Sequence, residues 1–301
     1  MDAQHIYGST RLVGLLGNPL GHSLSPLIHN HAFARLNLPY AYVPLFVSHE
    51  MLHSVIYTLR ACNFAGANVT IPHKQHVVPY CDWLSPLSTM TGAVNTLYFR
   101  NNLLCGTTTD AAGFFRALET MNRPIQEDRV VILGNGGLAR TLAFAYALSR
   151  FPPQLTILGR SIDKVKSLAD DVARVTGFRP RCAAASQPEG MDAIRNCTLL
   201  VNCTSAGMEP HTDAAPIDVT VLHAGITVFD TIYNPAQTKL LAAAHSAGCP
   251  TQNGLRMLLY QGLASFTYWT GTEADESLFN LDELQEYTAA KAGKDIREKQ
   301  S

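Results

Sequence analysis

An amine, a carboxylate, a pair of hydroxyls and an amide occupy positions from which this chain of 301 residues could bind and transform a polar small molecule. Lys74 follows Asn68-Val69-Thr70-Ile71-Pro72-His73, where the pattern predicts a short strand over 68–71, broken by proline, and a helix starting near His73. A lysine just past a strand's C-terminal end sits where open α/β sheets place ligand groups, although most lysines are solvated surface charges. Ser23 and Ser25 alternate in a turn-rich segment after a first strand, 11–17. Ser25, ahead of Pro26, also reads as the N-cap of a helix over 27–36. Capping does not account for Ser23, and two hydroxyls in such a loop suit a polyhydroxylated or carboxylate ligand. Asp110 ends Thr107-Thr108-Thr109-Asp110 and is equally a candidate cap for a helix from Ala111. Gln261 interrupts the apolar face of a helix over 255–266, where a buried amide needs partners.

A second constellation belongs to phosphate. Val130-Val131-Ile132-Leu133 runs into Gly134-Asn135-Gly136-Gly137-Leu138-Ala139, and an Ala- and Leu-rich helix follows. Strand, Gly-x-Gly-x-x-Ala turn and helix N-terminus form the corner that cradles a pyrophosphate. Gly134 permits the turn, Gly136 lets backbone approach the anion, and Ala139 lets helix and strand pack closely. A merely structural glycine-rich turn is the alternative. The next strand, 155–161, ends in Gly159-Arg160-Ser161 with Lys164 one turn later. NAD enzymes commonly place an acidic residue near this strand end for the ribose hydroxyls. A cation and a hydroxyl suit a 2′-phosphate instead, which favours NADP.

Positioning these groups calls for alternating strands and helices. Further strands are expected at 40–45, 92–99, 103–110, 198–208 and 227–235, and helices at 49–62 and 238–247. A tight Arg100-Asn101-Asn102 turn makes 92–99 and 103–110 a hairpin that carries Asn95, Thr96, Thr109 and Asp110 to one place. The fold class is α/β, in two domains. Formal net charge is −1, from 23 basic and 24 acidic residues, so no field for nucleic acid is implied. Seven scattered cysteines without a C-x-x-C pair suit reduced thiols and suggest neither a disulfide framework nor a metal site. No signal peptide or membrane span is read, and a cytoplasmic location is expected. The charged segment 291–301 is expected to fray.

Taken in order, Gly17-Asn18-Pro19-Leu20-Gly21-His22-Ser23-Leu24-Ser25-Pro26, Asn68-Val69-Thr70-Ile71-Pro72-His73-Lys74 and Gly92-Ala93-Val94-Asn95-Thr96 resemble the shikimate dehydrogenase family. Thr109-Asp110, Asp230-Thr231-Ile232-Tyr233-Asn234-Pro235 and Gly254-Leu255-Arg256-Met257 followed by Gln261 extend the match over residues 11–272. The resemblance implies reversible, NADP(H)-dependent reduction of 3-dehydroshikimate to shikimate, a step of chorismate and aromatic amino-acid biosynthesis. It places substrate contacts on Ser23, Ser25, Thr70, Lys74, Asn95, Asp110, Tyr233 and Gln261. Ser23, Ser25 and Tyr233 would hold the carboxylate, and Lys74 with Asp110 would address the reacting oxygen. Cys203, Thr204, Ser205, Met208, Thr231 and Gly254 would border the nicotinamide. The implied domains are a catalytic segment 1–110, a dinucleotide-binding (Rossmann) segment 111–253, and C-terminal helices 254–301 returning to the catalytic domain. The expected partner is the small-molecule substrate; no metal is expected, and a homodimer is compatible with the pattern.

Two departures from the family pattern stand out: Thr108 where Asn is common, and Gly159-Arg160-Ser161 where Asn-Arg-Thr is common. A dehydrogenase of broader substrate range acting on quinate, or one using NAD, shares most of this framework. A non-catalytic nucleotide sensor is a further alternative, against which stands the complete set of expected side chains.

Overall fold

The computed structural model describes residues 6–21, 23–121 and 129–288. His22 and the 291–301 tail lie outside them. The chain divides into two compact units, Met1–Arg116 with Leu258–Leu281, and Ala117–Met257 with Asp282–Ser301.

The first unit is built on β1 (Arg11–Gly17), β2 (Tyr40–Phe46), β3 (Gly66–Val69), β4 (Trp83–Leu84), β5 (Thr96–Arg100) and β6 (Leu103–Thr107). Their order in the sheet is β2-β1-β3-β5-β6-β4. β5 runs antiparallel to both neighbours, and the other pairings are parallel. The helices are α1 (Ser25–Arg35), α2 (Leu52–Ala61), α3 (Pro86–Thr91), α4 (Asp110–Glu119) and, from the far end of the chain, α9 (Leu255–Thr270). One face of the sheet packs Val13, Leu15, Tyr42 and Tyr98 with Phe33 of α1 and Phe266 and Trp269 of α9. The other packs Leu16, Ala67, Val69 and Leu97 with Leu52, Ile56 and Leu59 of α2. A sheet covered on both faces explains why β3 is buried at every position.

The hairpin expected from the sequence forms between β5 and β6, pairing Thr96 with Thr107. Asn101 and Asn102 turn it at φ of 51° and 63°, the left-handed pair that matches strand twist. β5 starts later than expected because Gly92, at φ 62°, is the left-handed C-cap of α3. No helix begins at His73: the Lys74 carbonyl accepts from the Val94 amide, and the Val78 amide turns to Gln75. The segment therefore stays a series of turns.

The second unit carries β7 (Arg129–Leu133), β8 (Gln154–Gly159), β9 (Arg181–Ala184), β10 (Leu199–Asn202), β11 (Thr227–Asp230) and β12 (Thr251–Gln252). All are parallel, in the order β12-β11-β10-β7-β8-β9. This is the doubly wound dinucleotide-binding order, with its switch point between β7 and β10. Between the strands run α5 (Gly137–Ala147), α6 (Ile162–Thr176), α7 (Pro188–Asn196) and α8 (Lys239–Ser246). Ile194 of α7 and Leu240, Leu241 and Ala244 of α8 cover one face.

The observed divisions fall inside α4 and α9 rather than at 110 and 253. Residues 282–288, placed by the sequence reading with the catalytic segment, group with the second unit. Gln285 accounts for this, accepting from the Asn253 amide at 3.0 Å and donating to the Tyr233 carbonyl at 3.4 Å. Among the described residues no helix is long and apolar enough to cross a membrane.

Candidate active site

In the first unit the exits of β3 and β6 and the middle of α9 bring Lys74, Asn95, Asp110 and Gln261 together. Lys74 Nζ lies 2.5 Å from Asp110 Oδ2, with the lysine side chain 22% exposed and the aspartate 7%. Asn95 Nδ2 donates to Asp110 Oδ1 at 2.8 Å and to Gln261 Oε1 at 3.0 Å. Gln261 Nε2 is occupied by the Leu258 carbonyl at 2.9 Å, so the amide on the apolar helix face is satisfied at both ends. Asp110 opens α4, but its two oxygens are committed to Lys74 and Asn95. Capping therefore does not explain this carboxylate.

A buried polar chain underlies these groups. Asn95 Oδ1 accepts from the Thr109 amide at 2.9 Å and from Thr96 Oγ1 at 2.8 Å. Asn68 donates to the Asn95 carbonyl and to Ser265 Oγ at 3.1 Å each, and accepts from Tyr42 Oη at 2.8 Å. Burial pushes the Tyr42 phenol upward, opposed by a hydrogen bond with Ser25. The sequence reading gave no role to Tyr42, Asn68 or Ser265. A signal existed for two of them: Asn68 is polar within a short buried-strand pattern, and Ser265 follows Gln261 by one helical turn.

The helix cap beside Ser25 is Leu24, whose side chain makes no capping bond, and Pro26 occupies the first turn. Ser25 is not the cap the local pattern suggested, and its hydroxyl lies beside Tyr42. Ser23 Oγ accepts from the Ser25 amide at 3.2 Å, which fixes the loop. Thr70 is held by its backbone, donating to Leu16 and accepting from His73. A Cβ at Gly17 would lie 2.4 Å from Thr70 Cγ2, so only glycine admits this approach. The Thr108 hydroxyl, at a position of departure from the family pattern, is buried without a partner among the described residues. Tyr233 belongs to the second unit.

Within the second unit the parallel strands end along one edge of the sheet. Gly134, at φ 112°, turns the chain out of β7, and its amide donates to Leu158 at 2.7 Å. Gly136 caps α5 in extended conformation, and Cβ atoms built on Gly136 and Gly137 would meet nothing within 4 Å. Ala139 is fully buried. A helix N-terminus with bare backbone and open space before it fits a pyrophosphate. After β8, Arg160, Ser161 and Lys164 are exposed, and Ser161 makes no side-chain cap bond to α6. These groups are available to a phosphate.

After β10 and β11, Asn202 and Asp230 tie the loops. Asn202 Nδ2 donates to Asp230 Oδ1 at 2.9 Å, and Asn202 Oδ1 accepts from the Thr204 amide and hydroxyl at 2.9 and 2.7 Å. Asp230 also accepts from Thr238 Oγ1 at 2.6 Å and from the Ile232 amide at 3.1 Å. Burial raises its carboxyl pKa, against those three bonds. Cys203 and Thr204 are half-buried; Ser205 and Met208 are exposed. Gly254 has a structural reason to be glycine: a Cβ there would lie 2.1 Å from the Thr231 carbonyl oxygen.

Two family models match the chain: the shikimate dehydrogenase substrate-binding domain over residues 15–97, and the shikimate 5′-dehydrogenase C-terminal domain over 254–279. The shikimate dehydrogenase (NADP(+)) of Methanothermobacter thermautotrophicus is 41% identical over 269 residues, covering 89% of this chain and 94% of the relative. Among solved structures, a shikimate dehydrogenase in complex with NADP+ aligns with TM-score 0.86 at 33% identity, over 95% of this chain and 97% of that one. The shikimate 5-dehydrogenase of Listeria monocytogenes, in complex with shikimate and NAD, aligns with TM-score 0.83 at 32% identity, over 95% and 99%.

Proposed function

Since the chain belongs to the shikimate dehydrogenase family, we propose that it reversibly reduces 3-dehydroshikimate to shikimate with NADP(H), as part of chorismate formation. The observation that carries this reading is the Lys74–Asp110 contact of 2.5 Å at the edge of a buried amide and hydroxyl network. When bound, the nicotinamide supplies or accepts the hydride. What remains for the chain is a proton, a carboxylate and a set of hydroxyls.

Lys74 is assigned the proton. It stands partly open while its partner is buried, so its amine can reach a ligand without leaving Asp110. Reduction at a ring carbonyl generates an alkoxide, and a positioned ammonium protonates it; in the oxidative direction the amine takes the hydroxyl proton. Asp110 orients the amine and accepts from a substrate hydroxyl. Asn95 and Gln261, whose amides are tied to each other and to Asp110, are assigned to substrate binding together with Ser23, Ser25, Thr70 and Tyr233. Gly134, Asn135, Gly136, Gly137, Leu138 and Ala139 would hold the pyrophosphate. Gly159, Arg160, Ser161 and Lys164 would hold the 2′-phosphate, and Cys203, Thr204, Ser205, Met208, Thr231 and Gly254 the nicotinamide side. Seven free thiols support a reducing, cytoplasmic setting.

The test is a set of initial rates with shikimate or quinate, each with NADP+ or NAD+. Activity concentrated in shikimate with NADP+ is expected. Comparable rates with quinate or NAD+ would make this a broader dehydrogenase, with Thr108 and Gly159 the first positions to exchange. Silence in all four would leave a nucleotide sensor.

A further inference from the structure

Three histidines of the first unit meet outside the polar chain just described. His49 lies in the loop after β2, and His73 and His76 lie in the turns after β3. One imidazole nitrogen of each lies within 4.8 Å of the others. The His49 and His76 rings meet edge to face with centroids 4.5 Å apart, and the His73 and His76 rings at 6.4 Å. His49 and His76 are exposed, whereas His73 is wholly buried.

The buried ring is the informative one. Its Nε2 lies 2.8 Å from the Val47 carbonyl oxygen. A carbonyl only accepts, so Nε2 carries the proton and Nδ1 keeps a bare lone pair. That Nδ1 is buried with no hydrogen-bond partner among the described residues. One nitrogen fixed by donation to a backbone carbonyl, the other left as an unmatched donor of electrons, is the arrangement of a histidine that ligates a metal.

We propose that His49, His73 and His76 form a three-imidazole site for one divalent transition-metal ion of the zinc class, with water completing a tetrahedron. Zinc–nitrogen bonds of about 2.0–2.1 Å set ligand nitrogens roughly 3.3 Å apart at tetrahedral angles. Closing from at most 4.8 Å thus takes no more than about 1.5 Å of movement. The two exposed side chains supply this by rotation, while Val47 holds the third. Three neutral nitrogens, without carboxylate or thiolate, select ions that favour imidazole over magnesium or calcium. The ion would pin the end of β2 to the turn that carries Lys74. The proposal is independent of the activity assigned above.

The chain is stripped with a chelator and titrated with Co2+ and with Zn2+. One equivalent of Co2+ should bind with the d–d absorption of a four-coordinate nitrogen site and no thiolate charge-transfer band. Zn2+ should raise the melting temperature, because it binds the folded chain. His49→Ala and His76→Ala, both at exposed positions, should each weaken binding by roughly tenfold or more. They should also cancel the thermal shift while leaving metal-free shikimate oxidation unchanged. Unaltered binding in both variants, a thiolate band from the free cysteines, or no binding at stoichiometric metal would each overturn the assignment.

Discussion

At the scale of single residues, the two polar clusters differ in what a substitution removes. Among the described residues the Lys74 amine hydrogen-bonds Asp110 and no other group. Lys74→Ala should lower kcat by about two to four powers of ten, the usual worth of acid–base help, with a smaller change in KM. Near wild-type turnover would remove the lysine from the mechanism. Arg160 is exposed at the end of β8 and forms no ion pair with the chain's own described carboxylates. Losing a charge-assisted bond to a phosphate is worth about 1.5–3 kcal/mol. Arg160→Ala should therefore raise the NADP+ dissociation constant by about ten- to a hundredfold and leave that of NAD+ nearly unchanged. Equal losses for the two cofactors would show that Arg160 does not read the 2′-phosphate.

At the scale of elements, two glycines of the second unit look alike in sequence and opposite in structure. Gly136 faces open space at an ordinary φ of −74°, whereas any side chain at Gly254 would run into the Thr231 backbone. Gly136→Ala should keep the melting temperature and weaken dinucleotide binding. Gly254→Ala should destabilise the fold by about 1–3 kcal/mol, as overpacking does. Calorimetry beside a cofactor titration separates the two, and a destabilised Gly136→Ala would contradict the open cradle. Strand, turn and helix around Gly134 were legible because the strand, the glycine spacing and the helix lie next to one another in the chain. The β5–β6 hairpin was legible for the same reason, through its Asn101-Asn102 turn. Less visible was what depends on distant partners. The helix pattern after Pro72 yields to a bond between Lys74 and Val94, twenty residues away in sequence. The pairings of Asn68 with Ser265 and of Asn202 with Asp230 join separate elements, so no local spacing announces them.

For the whole molecule, stability carries the imprint of one buried ring. His29 is 1% exposed, stacked on Tyr42 at 4.5 Å and edge-on to Trp269, with the Asn68 side chain as the polar group beside it. Burial, opposed by the Asn68 side chain, pushes its pKa down from 6.5 to about 3. The folded value lies below the unfolded one, so the denatured chain binds the proton first as pH falls. The stabilisation is complete above the unfolded value of 6.5 and is lost progressively as pH falls towards 3. Between neutral pH and pH 5 it should amount to about 2 kcal/mol. Chemical denaturation across that range should show wild type losing about this amount of stability relative to His29→Leu, and a constant difference would exclude the ring as the cause.

The first unit is also discontinuous, its core closed by Phe266 and Trp269 of α9, with Trp269 donating to the Leu97 carbonyl at 2.9 Å. A ribosome making this chain emits Leu97 long before Trp269. At about 5–20 residues per second, the stretch from Arg116 to Leu281 takes roughly ten to thirty seconds to appear. Throughout that interval the nascent sheet presents Val13, Phe33 and Tyr42 without their final cover, and the second unit, nearly all of it encoded in between, can fold first. The order of translation thus makes the earliest-made apolar surface the last to be sealed.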